Sequence, residues 1–122
     1  MIEDDPQARG RAAEHAAVRH LESHGLRLLV RNYRCRLGEI DVIARDGVTT
    51  VFVEVRYRRS ERYGGALESI DGRKRGRIVR AAQHYLQSRS DRRDPACRFD
   101  VVLVSGNMKT PRIDWIANAF QA

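Results

Sequence analysis

Three features of the 122-residue sequence predict a mixed α/β domain, a β-sheet flanked by helices in the order αβββαββ. An alanine-rich segment with helical apolar spacing precedes three β-like runs, a second amphipathic segment follows, and two more β-like runs close the chain. The helical segment between the third and fourth runs is long enough to carry the chain back over the sheet, which favours a parallel pairing of those two strands.

The first element is a helix over Ala8 to His24, with Ala13, Ala17, Val18 and Leu21 on one side and Gly25 as its C-terminal cap. The run LRLLVRNYR is the first strand, and Gly38 breaks it. EIDVIAR and VTTVFVEVRYR are the arms of a hairpin turning near Asp46 and Gly47. A loop with Gly64 and Gly65 leads to Asp71, which caps a helix reaching about Gln87, with Ile78, Ala82, Tyr85 and Leu86 inward. Asp91 to Pro95 reads as a polar loop, RFDVVLV as the fourth strand, and the residues around Ile113, Trp115 and Ile116 as a short fifth strand near the edge.

Length predicts one domain spanning residues 1–122, without a separate cofactor module. Apolar residues make up 42% and charged residues 32%, the balance of a soluble globular protein. The acidic start and the absence of a long apolar run predict a cytoplasmic protein with no membrane partner. Cys35 and Cys97 are too few and too far apart for a zinc ribbon or a redox pair and read as free thiols.

Lys plus Arg total 23 against 16 Asp plus Glu, a formal charge of +7, so a polyanion such as nucleic acid is the expected partner. Arg73, Arg77, Arg80 and His84 form one helical stripe, with Lys74 beside it. Arg56, Arg58, Arg59 and Arg62, interleaved with Tyr57 and Tyr63, form a second basic run that starts at an acidic strand. Both read as phosphate contacts, or else as ordinary solvated faces.

Strict alternation sends Glu39, Asp41 and Ile43 to one face of their strand and Ile40, Val42 and Ala44 to the other, while Phe52, Glu54 and Arg56 share a face of the next. A two-residue loop at Asp46 and Gly47 would pair Asp41 with Phe52 and Glu39 with Glu54. A four-residue loop over 46–49 would pair Asp41 with Glu54, and a three-residue loop would separate the acids. Neighbouring carboxylates on one sheet face repel unless a cation joins them, and hard oxygen donors suit Mg²⁺ or Mn²⁺. The competing reading is a solvated face with Glu39 or Glu54 paired to Arg56. Glu14 falls within the apolar arc of the first helix, where it either reaches the same site or extends to solvent. His20 and His24, one helical turn apart, would need a third ligand that the sequence does not place.

Gly38 to Ala44 (GEIDVIA) with Val51 to Arg56 (VFVEVR) resembles the PD-(D/E)XK nuclease superfamily and, within it, the YraN family of small bacterial proteins akin to Holliday junction resolvases. The likeness extends to the Glu14 helix, Tyr33-Arg34, Lys74, Arg77 to Leu86, Arg98 to Val101 and the Trp115 to Phe120 tail. It implies a restriction-endonuclease-like fold and a metal-dependent endonuclease acting on nucleic acid, DNA rather than RNA, branched or structured. It also implies Asp41, Glu54 and the carbonyl of Val55 as ligands of Mg²⁺ or Mn²⁺, Glu14 as an assisting acid, and a homodimer as the acting form. The motif's proline is Ile40 here and its lysine is Arg56, which cannot serve as a base but can stabilise phosphate charge. The alternatives are a nucleic-acid-binding module that keeps the fold without turnover, and a partner-binding adaptor using the Trp115 edge.

Overall fold

The computed structural model describes residues 6–58, 70–89 and 96–122. Two helices, α1 (Pro6–Ser23) and α2 (Gly72–Ser88), flank five strands, β1 (Arg27–Cys35), β2 (Gly38–Asp46), β3 (Thr49–Arg58), β4 (Cys97–Ser105) and β5 (Arg112–Phe120). The chain order is αβββαββ and the sheet order is β1-β2-β3-β4-β5. All neighbours are antiparallel except β3 and β4, which run parallel as the helical crossover requires. Arg59, Arg62, the Gly64–Gly65 loop and the expected loop at Asp91 to Pro95 lie outside the described residues.

Each helix covers one face of the sheet. Ala13, Ala17, Val18 and Leu21 of α1 pack on Val42, Ala44, Val51, Val53, Val102 and Val104. Ile78, Ala81, Ala82 and Tyr85 of α2 pack on Ile40, Ile43, Phe52, Phe99 and Val101. The central strand β3 is therefore apolar on both sides, and five consecutive residues, Thr50 to Glu54, are buried. The α1 cap at Gly25 forms as expected: Leu26 N donates to Leu21 O at 3.1 Å and Gly25 N to Glu22 O at 3.0 Å, with Leu21 and Leu26 both buried. Asp71 caps α2 by accepting Lys74 N at 2.9 Å. Strand β5 is nine residues long, longer than the short edge piece expected, because it runs on through a left-handed Asn118 (φ 54°) to the buried Phe120.

The β2–β3 hairpin differs from both loop readings. Asp46 and Thr49 themselves pair, leaving a tip of Gly47 and Val48, with Gly47 at φ +60° in the position where a tight hairpin turn favours glycine. The resulting register, Asp46↔Thr49 to Val42↔Val53, is the one expected from the longer loop, and one more step sets Asp41 opposite Glu54.

Strict alternation along β2 does not hold. Ile40 and Ile43 both enter the α2-side core, whereas Val42 and Ala44 enter the α1-side core, so the side-chain phase slips by one residue at Asp41. On β1, Arg31 pairs with Val42 and Tyr33 with Ile40, which leaves Asn32 beside Asp41; Asn32 is left-handed, at φ 54°. The two strands therefore break step together, and Asp41 leaves the regular face.

Candidate acidic site at the end of the β2–β3 ladder

The slip turns the Asp41 side chain toward β3, where Oδ2 accepts the backbone N–H of Val55 at 2.8 Å. Beside it stands Glu54, 6% exposed, on the α2 side of β3. The two carboxyls are within hydrogen-bonding reach of each other. Asp41, Glu54, Glu39, Lys74, Arg77 and Ile78 line one cleft of about 40 Å³, room for ordered water beside an ion. An N–H and C=O of one residue point to the same side of a strand, so the Val55 carbonyl also faces β2.

Burial and then the Glu54 carboxylate, with a smaller push from Glu14, raise the Asp41 pKa to about 8; the Val55 N–H acts in the opposite sense without offsetting them. Glu14 thus senses Asp41 from α1, while its own Oε1 lies 3.8 Å from Arg31 Nη2. Among the described residues no three His, Cys, Asp or Glu side chains converge as a metal-ligand set, so Glu14 does not complete a triad with Asp41 and Glu54. The donors present are two carboxylates and one carbonyl. That set fits a hard cation that keeps several waters, and it does not fit zinc.

Two cations flank Glu54 Oε2: Lys74 Nζ at 2.7 Å and Arg56 Nε at 3.6 Å. Lys74, read from sequence as a phosphate contact, therefore reaches the acidic pair itself. Gly38 permits this approach: a Cβ there would stand 2.8 Å from the Arg77 carbonyl, so only glycine lets the start of β2 press against α2. Arg77 lies at the cleft and is exposed, as are Arg73, Arg80 and His84 along the same stripe, and Arg58 at the end of β3. His84 Nδ1 and Tyr33 Oη share a hydrogen bond at 2.5 Å, which ties the far end of the stripe to β1. The His20 and His24 rings lie tilted against each other at 4.5 Å and meet Trp115 edge-on, away from the acidic pair.

A further carboxylate escaped the sequence reading. Asp100, 0% exposed, accepts Arg98 Nε at 3.1 Å, Trp115 Nε1 at 2.9 Å and Asn118 N at 2.8 Å. Arg98 Nη1 also reaches Asp46 Oδ2 at 3.0 Å, so this network ties the hairpin tip across β3 to β4 and β5. The signal was present as a lone acid inside the apolar run RFDVVLV. Trp115, expected as core or edge packing, lies against the α1-side core.

Fold and site together define a small mixed α/β protein with a paired acidic centre where one strand ladder ends beneath a basic helix. The chain belongs to the family described as "Uncharacterised protein family UPF0102", the YraN-like family, which residues 13–104 match. It is 50% identical to a UPF0102 protein of Pseudomonas fluorescens over 123 residues, covering 100% of both chains. It is 56% identical to one of Ectopseudomonas mendocina over 113 residues, covering 93% of this chain and 94% of that one. With one of Stutzerimonas stutzeri it shares 48% over 118 residues, 97% and 98% of the two chains. The family match includes Glu14, Asp41, Glu54 and Lys74, and the relatives extend over β5 as well. Among the described residues no helix is long and apolar enough to cross a membrane.

Proposed function

We propose that this chain is a divalent-metal-dependent nuclease of the PD-(D/E)XK type, acting in the cytoplasm as a homodimer on branched or structured nucleic acid, DNA rather than RNA. The observation that carries the reading is the meeting of Asp41 and Glu54 in one cleft under α2, with the Val55 backbone beside them. Carboxylates so close together, Glu54 buried and Asp41 half-buried, call for a cation, and the formal charge of +7 suits a phosphate polymer.

Asp41, Glu54 and the Val55 carbonyl would hold Mg²⁺ or Mn²⁺. When bound, the ion would acidify a water and neutralise charge on a phosphodiester. The chain's own residues do the rest. The Val55 N–H fixes the Asp41 carboxylate, and Ile78 walls the cleft on the α2 side. Lys74 and Arg77 offer positive charge where a phosphate would enter. Arg56, as a guanidinium, acts on charge rather than on protons. Glu14, held near Arg31, adds negative field from the α1 side. Arg58, Arg59, Arg62, Arg73 and Arg80 extend the contact along the polymer.

The second reading, a nucleic-acid-binding module without turnover, draws support from Arg56 in the lysine position and from the lack of a three-residue ligand set among the described residues. Purified protein and an Asp41→Ala, Glu54→Ala variant incubated with branched, flapped and single-stranded DNA, with and without Mn²⁺, separate the two. The nuclease reading expects Mn²⁺-dependent cleavage by the wild type alone. Equal products from both proteins, alongside retained binding, would leave the module.

A further inference from the structure

We propose that Lys74 is a displaceable counter-ion: in the metal-free protein its ammonium stands in for the divalent cation at Glu54, and it passes to a substrate phosphate when the cation binds. This deepens the metal reading of the Asp41–Glu54 pair and rests on it.

A carboxylate as buried as Glu54 needs a compensating charge. Lys74 Nζ supplies one at 2.7 Å from Oε2, on a carboxylate that would also hold the metal. An ammonium and a divalent ion held against one carboxylate would repel each other strongly in a partly buried cleft, so the two compete for Glu54. One must therefore yield. Arg56 is poorly placed to do so, because it grows from the same strand two residues along and its side chain is only 26% exposed. Lys74 is better placed: its side chain is 37% exposed and ends in a point charge on a flexible stem.

Its backbone does not need to move. The Lys74 N–H is held by Asp71 Oδ1 at 2.9 Å, and α2 is pinned through buried Ile78 and the close approach of Gly38 to Arg77. Only the side chain swings. The released ammonium stays within the cleft it lines together with Arg77, where a phosphate bound to the ion would lie. Loading of the metal and of the phosphate is thereby coupled. A phosphate receives the lysine that the metal displaces, so each ligand raises the affinity for the other by the same factor.

The test is Mn²⁺ titration calorimetry on wild type, Lys74→Gln, Lys74→Met and Lys74→Arg, with Asp41→Ala as the control for the site and thermal melting as the control for folding. Two uncharged replacements are used so that one folded variant suffices. Removal of the competing charge is expected to tighten Mn²⁺ binding by about tenfold or more. Lys74→Arg, which keeps the charge, should stay close to wild type. Adding a short single-stranded oligonucleotide should tighten Mn²⁺ binding to wild type and leave the uncharged variants much less affected. If wild type binds Mn²⁺ through Asp41 but Lys74→Gln and Lys74→Met bind it no better, the counter-ion role is overturned and the metal site stands. If no variant binds Mn²⁺, the metal site and the counter-ion fall together.

Discussion

Asp41 Oδ2 accepts the Val55 N–H at 2.8 Å, so the carboxylate that faces Glu54 also continues the β2–β3 ladder past its last backbone pair. An amide in its place can still accept that N–H but carries no charge to clash with Glu54. Asp41→Asn should therefore melt higher than wild type by about 3 °C or more in metal-free buffer near pH 9, an effect of about 1 kcal/mol. The same variant should lose Mn²⁺ binding. A gain in stability paired with loss of metal binding is the mark of a site kept for function, and a variant that melts lower than wild type would speak against the repulsion.

The pH dependence has a definite sign. Asp41 titrates near 8 in the folded protein against an ordinary value of 3.8, so between these limits the folded state holds more protons than the unfolded chain. Stability of the metal-free protein contributed by this group is then full below about pH 4 and is lost as pH rises toward 8. His20 works the other way, since burial and His24 lower its pKa and make stability rise with pH around its titration. The difference between the melting curves of wild type and Asp41→Asn isolates the carboxylate. That difference should grow in favour of the variant from pH 5 to pH 8, and saturating Mn²⁺ should reduce the pH dependence of the wild type.

Much of this site was legible in the residues because it depends on period and charge. Alternating apolar runs gave the strands, and helical spacing gave the inward face of α1. Asp71 announced α2, and the two acids fell on adjoining strands as their spacing required. What was not legible depends on tertiary contact. The slip at Asn32 and Asp41 breaks the two-residue period on which the facing of Glu39 and Ile40 was read, and no local signal marks it beyond an asparagine able to turn left-handed. Lys74 comes within 2.7 Å of Glu54 only after α2 is docked, twenty residues along the chain. Asp100 looked like one acid in a strand until Arg98, Trp115 and Asn118 closed around it.

Gly38 sets how close α2 lies to the acidic pair. A methyl group there meets the Arg77 backbone carbonyl at 2.8 Å, a contact no flexible side chain can relieve, and β2 or α2 must shift. Gly38→Ala should cost about 1–3 kcal/mol by overpacking. It should also carry Lys74 and Arg77 away from the place a phosphate would take, so that any Mn²⁺-dependent cleavage falls by more than the loss of folded protein explains. Denaturant melts and cleavage assays on the same preparation check this. Activity that simply tracks the folded fraction would mean that the spacing of α2 does not matter to the site.

Asp100 is a structural counterpart of the acidic pair, with every charge matched. Replacing it by alanine takes one of its two carboxylates from the Arg98 guanidinium and the acceptor from both the Trp115 indole and the Asn118 N–H, a loss expected to reach about 3 kcal/mol. Trp115 is the chain's single tryptophan, so its fluorescence reports the change directly. Asp100→Ala should shift that emission toward the red and lower the denaturant midpoint. Trp115→Phe, which removes one donor and keeps the ring, should cost clearly less.

The basic helix offers the sharpest separation between contact with a polymer and structural charge. Arg73, Arg77 and Arg80 are exposed on one side of α2, whereas Arg98 is bound on two sides by Asp46 and Asp100. If α2 follows a phosphate backbone, each of Arg73→Ala, Arg77→Ala and Arg80→Ala should lower the slope of log affinity against log salt by about 1, across sequences alike. Arg98→Ala should weaken the fold and leave the slope of the remaining folded protein unchanged, because its charge is already spent on carboxylates. The measurement is oligonucleotide binding by anisotropy over a series of salt concentrations in Ca²⁺ or in chelator. Slopes unaltered by the three α2 variants would move the polymer off this helix and onto the basic run that follows β3.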